Sequence, residues 1–274
     1  MKKLIFSTVL YNTPLKDIKN LLKSIESLSA AFKESHINIK VLKLLIRDNS
    51  KNPKYSQDNL FADKYSFEIE IIRSDRNLGY GMGHNYNFLD QNSNKDIWYI
   101  ALNPDVYFYG KKLIHFFKFI TYSNDISCAA PLIYLPNGKI QYSAKRNPTM
   151  FSLLISRFSI FQKLPILKKY LDLNQNKNQD YKKEFIQSTF LSGCFLAFPS
   201  EIYKRIKGFS DRYFLHFEDA DIVRRCSHQG RSVHCPLGQI THIRGRGSHT
   251  SFFQQYHLII SYIRYSKIWG FSLF

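Results

Sequence analysis

Six apolar residues, Ile97 to Leu102, run directly into Asn103-Pro104-Asp105, and this junction constrains the chain more than any other stretch. The run is short and rich in β-branched and aromatic side chains. It reads as an inner strand of a parallel sheet, buried on both faces. Pro104 has no N–H to give to a ladder, so the strand ends there. Asp105 is thereby held just past the carboxyl end of a central strand, in the crevice where open α/β sheets take their ligands. An aspartate after a strand also serves as a plain turn former, so the surrounding sequence has to decide between the two.

The preceding residues follow the same pattern of apolar strand and polar end. Residues 4–10 form a first strand closed by Tyr11-Asn12-Thr13-Pro14. Leu15, Ile18, Leu21, Leu22, Ile25 and Leu28 then recur at helical spacing, which predicts a helix from Pro14 to about Phe32. A second strand, 41–46, ends in Arg47-Asp48-Asn49-Ser50. A third, 67–72, leads into the glycine-rich stretch from Asn77 to Asn85 and a helix ending near Leu89. Strands alternating with helices predict βαβ units and a mostly parallel sheet flanked by helices, hence an α/β fold. In such a sheet Asn12, Asp48 and Asp105 share one rim. Gly79, Gly81 and Gly83 fall at alternate positions and match neither phosphate-loop pattern. They serve either a tight strand-to-helix turn or a close approach of main-chain N–H groups to phosphates.

The second half is less regular. Strands are expected at 127–134, at 138–142 after the Pro136-Asn137-Gly138 turn, and at 189–198 through Ser192-Gly193-Cys194. A short helix at 199–206 ends before Gly208, a suitable C-cap. Glu218-Asp219-Ala220-Asp221 opens another helix, stopped by Gly230. Carboxylates in a first turn suit the helix macrodipole. Placed after Tyr213, Phe214 and Phe217, they equally suit a general base in an aromatic pocket. Arg231–His242 reads as a strand pair broken near Pro236, and His242 precedes Arg244-Gly245-Arg246-Gly247-Ser248-His249. That histidine is a candidate metal ligand or diphosphate contact. A terminal aromatic-basic helix covers 256–268.

Charge narrows the partners. Against 21 acidic residues stand 39 Lys and Arg, a net charge of +18 that calls for an anionic partner. The basic residues are spread along the chain and show no RRM, zinc-finger or helix-turn-helix signature, which argues against a nucleic-acid-binding module despite a pI near 9.7. Cys128, Cys194, Cys226 and Cys235 form no C-x-x-C pair and read as reduced cytoplasmic thiols. The N-terminus mimics a leader, but Asn12 and Pro14 cut its apolar run short, and a first strand is the better reading. No run approaches the roughly 18 apolar residues of a membrane span. Residues 146–173 and 252–274 interleave large apolar side chains with Lys and Arg. They are either interfacial helices on an anionic leaflet or core-facing helices with solvated lysines.

Taken in order, these elements resemble a family 2 glycosyltransferase of the GT-A fold. The likeness is closest to the rhamnosyltransferase-like enzymes of bacterial surface-polysaccharide synthesis. It runs from Phe6 to about Ser248 through Tyr11-Asn12, Asp48-Asn49-Ser50, Asn77-Leu78-Gly79-Tyr80-Gly81 with Asn85, and Asn103-Pro104-Asp105. It continues through Ser192-Gly193-Cys194, Gly208-Phe209, Phe217-Glu218-Asp219-Ala220-Asp221 with Arg225, and His242. The resemblance implies a Rossmann-like domain with residues 1–126 as its donor half and 127–249 as its acceptor-binding and catalytic half. Residues 250–274 then form an interfacial helix. It implies an inverting enzyme that moves rhamnose or a hexose from TDP-rhamnose or a UDP-hexose to a polyprenyl-diphosphate-linked saccharide. The enzyme would be cytoplasmic and peripheral at the inner face of the membrane.

On the same basis Asn12, Asp48, Asn77, Gly79, Asn103 and Asp105 face the donor. Asp105 and His242 hold Mg²⁺ or Mn²⁺, and Asp219 is the base that deprotonates the acceptor. Glu218, Asp221 and Arg225 lie on the acceptor side. Asn103 stands where many GT-A enzymes carry the first of two aspartates, a departure shared by the rhamnosyltransferase-like subgroup. An amide is a weaker ligand for a hard cation than a carboxylate. Two rival readings fit less well. A non-catalytic GT-A scaffold has no need of Asp48, Asp105 and Asp219 together. A nucleotidyltransferase would show a glycine-rich basic signature after the first strand, which is absent at Asn12.

Overall fold

The computed structural model describes residues 1–56, 60, 64–157, 161–243 and 252–273. Its sheet begins with β1 (Lys2–Leu10), β2 (Ile39–Asp48), β3 (Glu68–Arg73) and β4 (Ile97–Leu102), in the spatial order β3-β2-β1-β4 and all parallel. Along β4 the side chains alternate between two cores. Trp98, Ile100 and Leu102 enter one with Phe6 and Phe117; Ile97, Tyr99 and Ala101 enter the other with Phe88, Tyr203 and Ile222. An alternating strand covered on both faces needs apolar residues at every position. That is why 97–102 has no polar interruption.

Helix α1 (Leu15–Glu34) covers the first core with Ile18, Leu21, Leu22, Ile25 and Leu28, none of them exposed. Each such burial is worth about 1.5–3 kcal/mol. This far exceeds the roughly 1 kcal/mol forgone at the α1 N-cap, where Pro14 makes no side-chain cap bond. Helix α2 (Tyr80–Phe88) is attached differently, through buried polar groups. Ser7 Oγ lies 2.7 Å from His84 Nδ1, and Asn87 Nδ2 donates to Ser7 Oγ (2.8 Å) and to the Leu45 carbonyl (3.2 Å). Asn85 accepts from the Tyr203 hydroxyl (2.7 Å) and the Phe209 N–H (2.8 Å). Gly79 alone of the three glycines lies in the turn, at φ 77°. Gly81 and Gly83 are inside α2, where an added Cβ would come 2.8 Å from Phe209 Cβ and 2.6 Å from Val9 Cγ2. They are close-packing positions.

Beyond β4 the chain forms β5 (Val106–Tyr107), α3 (Ile114–Tyr122), β6 (Ile126–Tyr134) and β7 (Ala144–Lys145). Helices α4 (Met150–Arg157) and α5 (Pro165–Asn174) follow, then β8 (Ile186–Gln187), β9 (Phe190–Leu191) and β10 (Phe195–Pro199). The chain closes with α6 (Ser200–Arg205), α7 (Glu218–Ser227), β11 (Arg231–His242) and α8 (Phe252–Trp269). The sheet continues β4-β10-β6-β11-β5, with β10 antiparallel to both neighbours and β11 parallel to β6. The fold is thus α/β with a central, mostly parallel sheet flanked by helices, as the sequence implied.

Several elements differ from expectation. The strand expected at 189–198 is two, β9 and β10, because Ser192-Gly193-Cys194 leaves the sheet between them. The strand expected at 138–142 reduces to one bridge, Tyr134 to Ile140. Arg231–His242 is one strand, not a pair; Pro236 is absorbed in a bulge, with the register shifting between Cys235 and Gln239. Helix α3 has no counterpart in the sequence reading. The loop after His242, at 244–249, lies outside the described residues.

Candidate active site

The parallel strands deliver their polar ends to one rim. The Asn12 N–H donates to Ser50 Oγ at 2.8 Å, joining the ends of β1 and β2. Asp48 is buried; its Oδ1 accepts from the Ser50 N–H at 2.9 Å and its Oδ2 has no hydrogen-bond partner. A buried carboxylate oxygen without a donor is costly, and a ligand hydroxyl or imide N–H would satisfy it. Asn77 Oδ1 accepts from the Gly79 N–H at 2.9 Å, and Asn49 Nδ2 donates to the Gly79 carbonyl at 3.1 Å. The α2 N-terminus is in this way fastened beside Asp48. At Gly79 any side chain would collide with the Phe214 carbonyl.

The end of β4 meets the end of β11. Asp105 Oδ1 lies 3.4 Å from His242 Nε2, and Asn103 Nδ2 lies 3.2 Å from the same nitrogen. The Ile243 N–H donates to the Asp105 carbonyl at 3.0 Å, closing the two strand ends on each other. His242 Nδ1 lies 3.0 Å from Gln141 Oε1, an acceptor only. Nδ1 therefore carries a proton, which leaves Nε2 facing Asp105, the side on which a histidine of this orientation would bind a metal. Burial by itself would lower the pKa of His242, but Cys194 and the Asp105 carboxylate outweigh it and push it up to about 10. A cation and a proton compete for that nitrogen.

Asp219 reaches the same rim through Ser192-Gly193-Cys194. Asp219 Oδ2 accepts from the Gly193 N–H at 3.0 Å, and the carbonyl of the following residue, Cys194 O, accepts from the Asn103 N–H at 3.0 Å. The Tyr80 hydroxyl donates to the Gly193 carbonyl. A chain of direct contacts thus runs from Asp219 by way of Gly193, Cys194 and Asn103 to Asp105 and His242. His216 and Phe217 both adopt left-handed backbone, at φ 68° and 66°. Each conformation costs on the order of 1–2 kcal/mol in a non-glycine residue. The Phe217 ring packs 5.8 Å from Tyr262 and 5.6 Å from Tyr265, and this packing holds the turn that opens α7 at the cleft.

The cleft, about 270 Å³, is lined by Glu218 and Asp219 with His216, Phe190, Lys145 and Leu258. Asp221 and Arg225 sit behind it. Arg225 Nε donates to Asp221 Oδ2 (2.8 Å), Arg225 Nη1 donates to the Ile206 and Gly208 carbonyls, and Trp269 Nε1 donates to Asp221 Oδ1 (2.9 Å). They brace α7 against α6 and α8. Sequence reasoning missed Gln141 and Tyr80, whose roles depend on contacts with residues 101 and 113 positions away.

Burial and the charge of Asp219 push Glu218 up to about 8 from its ordinary 4.5. The folded chain therefore keeps a proton that the unfolded chain releases in weak acid. Stability must fall as pH rises from about 4.5 to about 8, and level off above. Glu218→Gln removes this dependence. Thermal unfolding from pH 5 to pH 9 should show the variant gaining on the wild type by on the order of 2–5 kcal/mol; parallel curves would exclude Glu218 as the group.

Strand order, rim and cleft define a GT-A glycosyltransferase fold. Three solved structures share it. GalNAc-T7, crystallised with UDP, GalNAc and Mn²⁺, matches over 98% of this chain and 48% of its own, with a TM-score of 0.64 and 14% identity. Residues 1–349 of TarS from S. aureus match over 89% of this chain and 60% of that one, at 0.57 and 15%. The mannosyltransferase PcManGT of Pyrobaculum calidifontis, with GDP-Man and Mn²⁺, matches over 96% and 64%, at 0.58 and 10%. The chain therefore spans about half to two-thirds of the length of these structures. No family model matches the sequence. No curated protein matches it significantly.

Proposed function

We propose that this chain is an inverting glycosyltransferase of the family 2, rhamnosyltransferase-like kind. It takes a nucleotide-diphosphate sugar at the rim and a saccharide hydroxyl in the cleft. The observation that supports this most is the contact chain linking Asp219 to Asp105 and His242. In this reading it connects the carboxylate base, through Gly193, Cys194 and Asn103, to a pair suited to the donor's diphosphate. Asp48, with one oxygen unpartnered, faces the nucleoside, and Asn12, Asn77, Gly79 and Asn103 shape the donor's bed. Asp219 takes the proton of the acceptor hydroxyl. As it does so, the acceptor oxygen bonds to the anomeric carbon and the bond from that carbon to the diphosphate oxygen breaks, so the nucleoside diphosphate leaves from the opposite face. Glu218, pushed up to about 8, stands beside Asp219 as a carboxylic acid and not as a second base.

Among the described residues no three His, Cys, Asp or Glu side chains converge as a metal cage. Asp105 and His242 are two ligands, which fits Mg²⁺ or Mn²⁺ held jointly by protein and substrate phosphates. Such a cation supplies charge neutralisation for the leaving diphosphate. The acceptor in this reading is a saccharide on a polyprenyl diphosphate, and the donor is TDP-rhamnose or a UDP-hexose.

A thermal-shift panel of nucleotide sugars with Mg²⁺, Mn²⁺ or EDTA tests the reading. At a hundred times its dissociation constant a donor adds about 2.7 kcal/mol, or roughly 5 °C or more in a chain of this size. One sugar nucleotide should produce that shift, and lose it in EDTA. A flat response to every donor would refute the assignment.

A further inference from the structure

The terminal helix α8 has two unlike faces. Tyr262 and Tyr265 are buried against Phe217, and Ser261 Oγ donates to the Leu215 carbonyl at 2.8 Å. On the other face Tyr256, Ile259 and Ile263 follow one another at helical spacing, with Ile259 61% exposed. Segment α4–α5 carries a second exposed apolar set, Leu154, Leu164 and Ile166, the last 82% exposed, beside the exposed Lys163, Lys168 and Lys169. Both segments border the cleft, through Ser152, Leu153 and Leu171 on one side and Leu258 on the other.

Within these two segments cations prevail. Helix α8 contains no Asp or Glu, and its charged residues are Arg264 and Lys267. In α4–α5 the one acid is Asp172, which is paired with Lys177 at 2.5 Å. Apolar side chains flanked by cations and free of acids match the boundary of an anionic leaflet, where the first enter the acyl edge and the second meet the headgroups. A second copy of this chain suits the surface poorly, since both would bring a net charge of +18. No described helix is long and apolar enough to cross a membrane.

We propose that the exposed face of α8 and the α4–α5 segment dock together on an anionic bilayer, presenting the cleft between them to lipid-borne acceptors. The acceptor part of this inference rests on the function proposed above. The bilayer contact stands apart from it. Because α8 is joined to α7 by the Asp221–Trp269 and Arg224–Tyr265 hydrogen bonds (2.9 and 3.1 Å), docking also orients the helix that carries Asp219.

The test is flotation of the full chain with vesicles of phosphatidylcholine alone, or with a third phosphatidylglycerol. The wild type should float with the anionic vesicles at low salt, and stay behind with neutral ones and at high salt. The double variant Ile259→Glu/Ile263→Glu should lower partition about tenfold or more. Lys168→Glu/Lys267→Glu, which changes charge without touching the apolar stripe, should do so by a similar factor. All four positions are exposed, and circular dichroism confirms that the variants fold. Failure to float, or equal binding to both vesicle types, overturns the proposal. So does a sedimentation result in which the isoleucine variants dissolve a dimer yet bind vesicles as before. Vesicle binding requires no turnover, so an inactive enzyme that floats contradicts only the glycosyl-transfer reading.

Discussion

Asp219→Asn is expected to lower turnover by about 10²–10⁴-fold, the usual contribution of a general base, while donor affinity stays within a few-fold. The asymmetry follows from where Asp219 stands. Its carboxylate lines the cleft, and its link to the strand-end rim passes through backbone, by way of Gly193 N–H and Cys194 O. Removing the charge removes the proton acceptor and leaves the rim in place. Asp219 also accepts from the Ala220 N–H at 2.9 Å, so both oxygens are engaged. Asparagine has one oxygen for two donors, which costs on the order of 1 kcal/mol. Turnover of both chains, with calorimetric donor affinity and a melting curve, separates this small loss from the catalytic one. A wild-type rate would remove Asp219 from its role.

The second large effect is at Asp105. Alanine there would leave His242 alone of the proposed ligand pair and should cut metal-dependent kcat/KM by on the order of a hundredfold or more, consistent with the several kcal/mol a bound cation supplies at a developing phosphate charge. Donor binding measured with metal and with EDTA should converge in this variant, where in the wild type the two differ. The local electrostatics offer an independent readout. Burial lowers the pKa of His242 and the Asp105 carboxylate helps to raise it, so its loss must move the imidazole downward. An NMR titration of His242 in metal-free protein would show the shift. If metal and EDTA still differ by the wild-type factor, the cation is held elsewhere.

The shared edge of the parallel strands could be read almost entirely from local pattern. Apolar residues at every position of 97–102, a proline two residues on, and polar residues at the strand ends (Asn12, Asp48, Asn103 and Asp105) are short-range facts. The regular alternation of a parallel sheet turns them into a shared edge. The same reading misplaced Gly81 and Gly83, which look like loop residues until Phe209 and Val9 are seen packing on α2. It also drew 189–198 as one strand. The sequence holds no sign that Gly193 turns out of the sheet to meet Asp219.

The sequence by itself determined the α/β architecture and the edge on which Asn12, Asp48 and Asp105 stand, because both follow from neighbours a few residues apart. Only the tertiary structure brings Asp219 to Gly193 and, through Cys194, to Asn103. That meeting requires β10 to enter antiparallel between β4 and β6, two consecutive left-handed residues at His216 and Phe217 held by Tyr262 and Tyr265, and Gln141 fixing the His242 ring. Each depends on partners tens of residues or more away, whose combined packing energy offsets local conformations that the residues would not adopt alone.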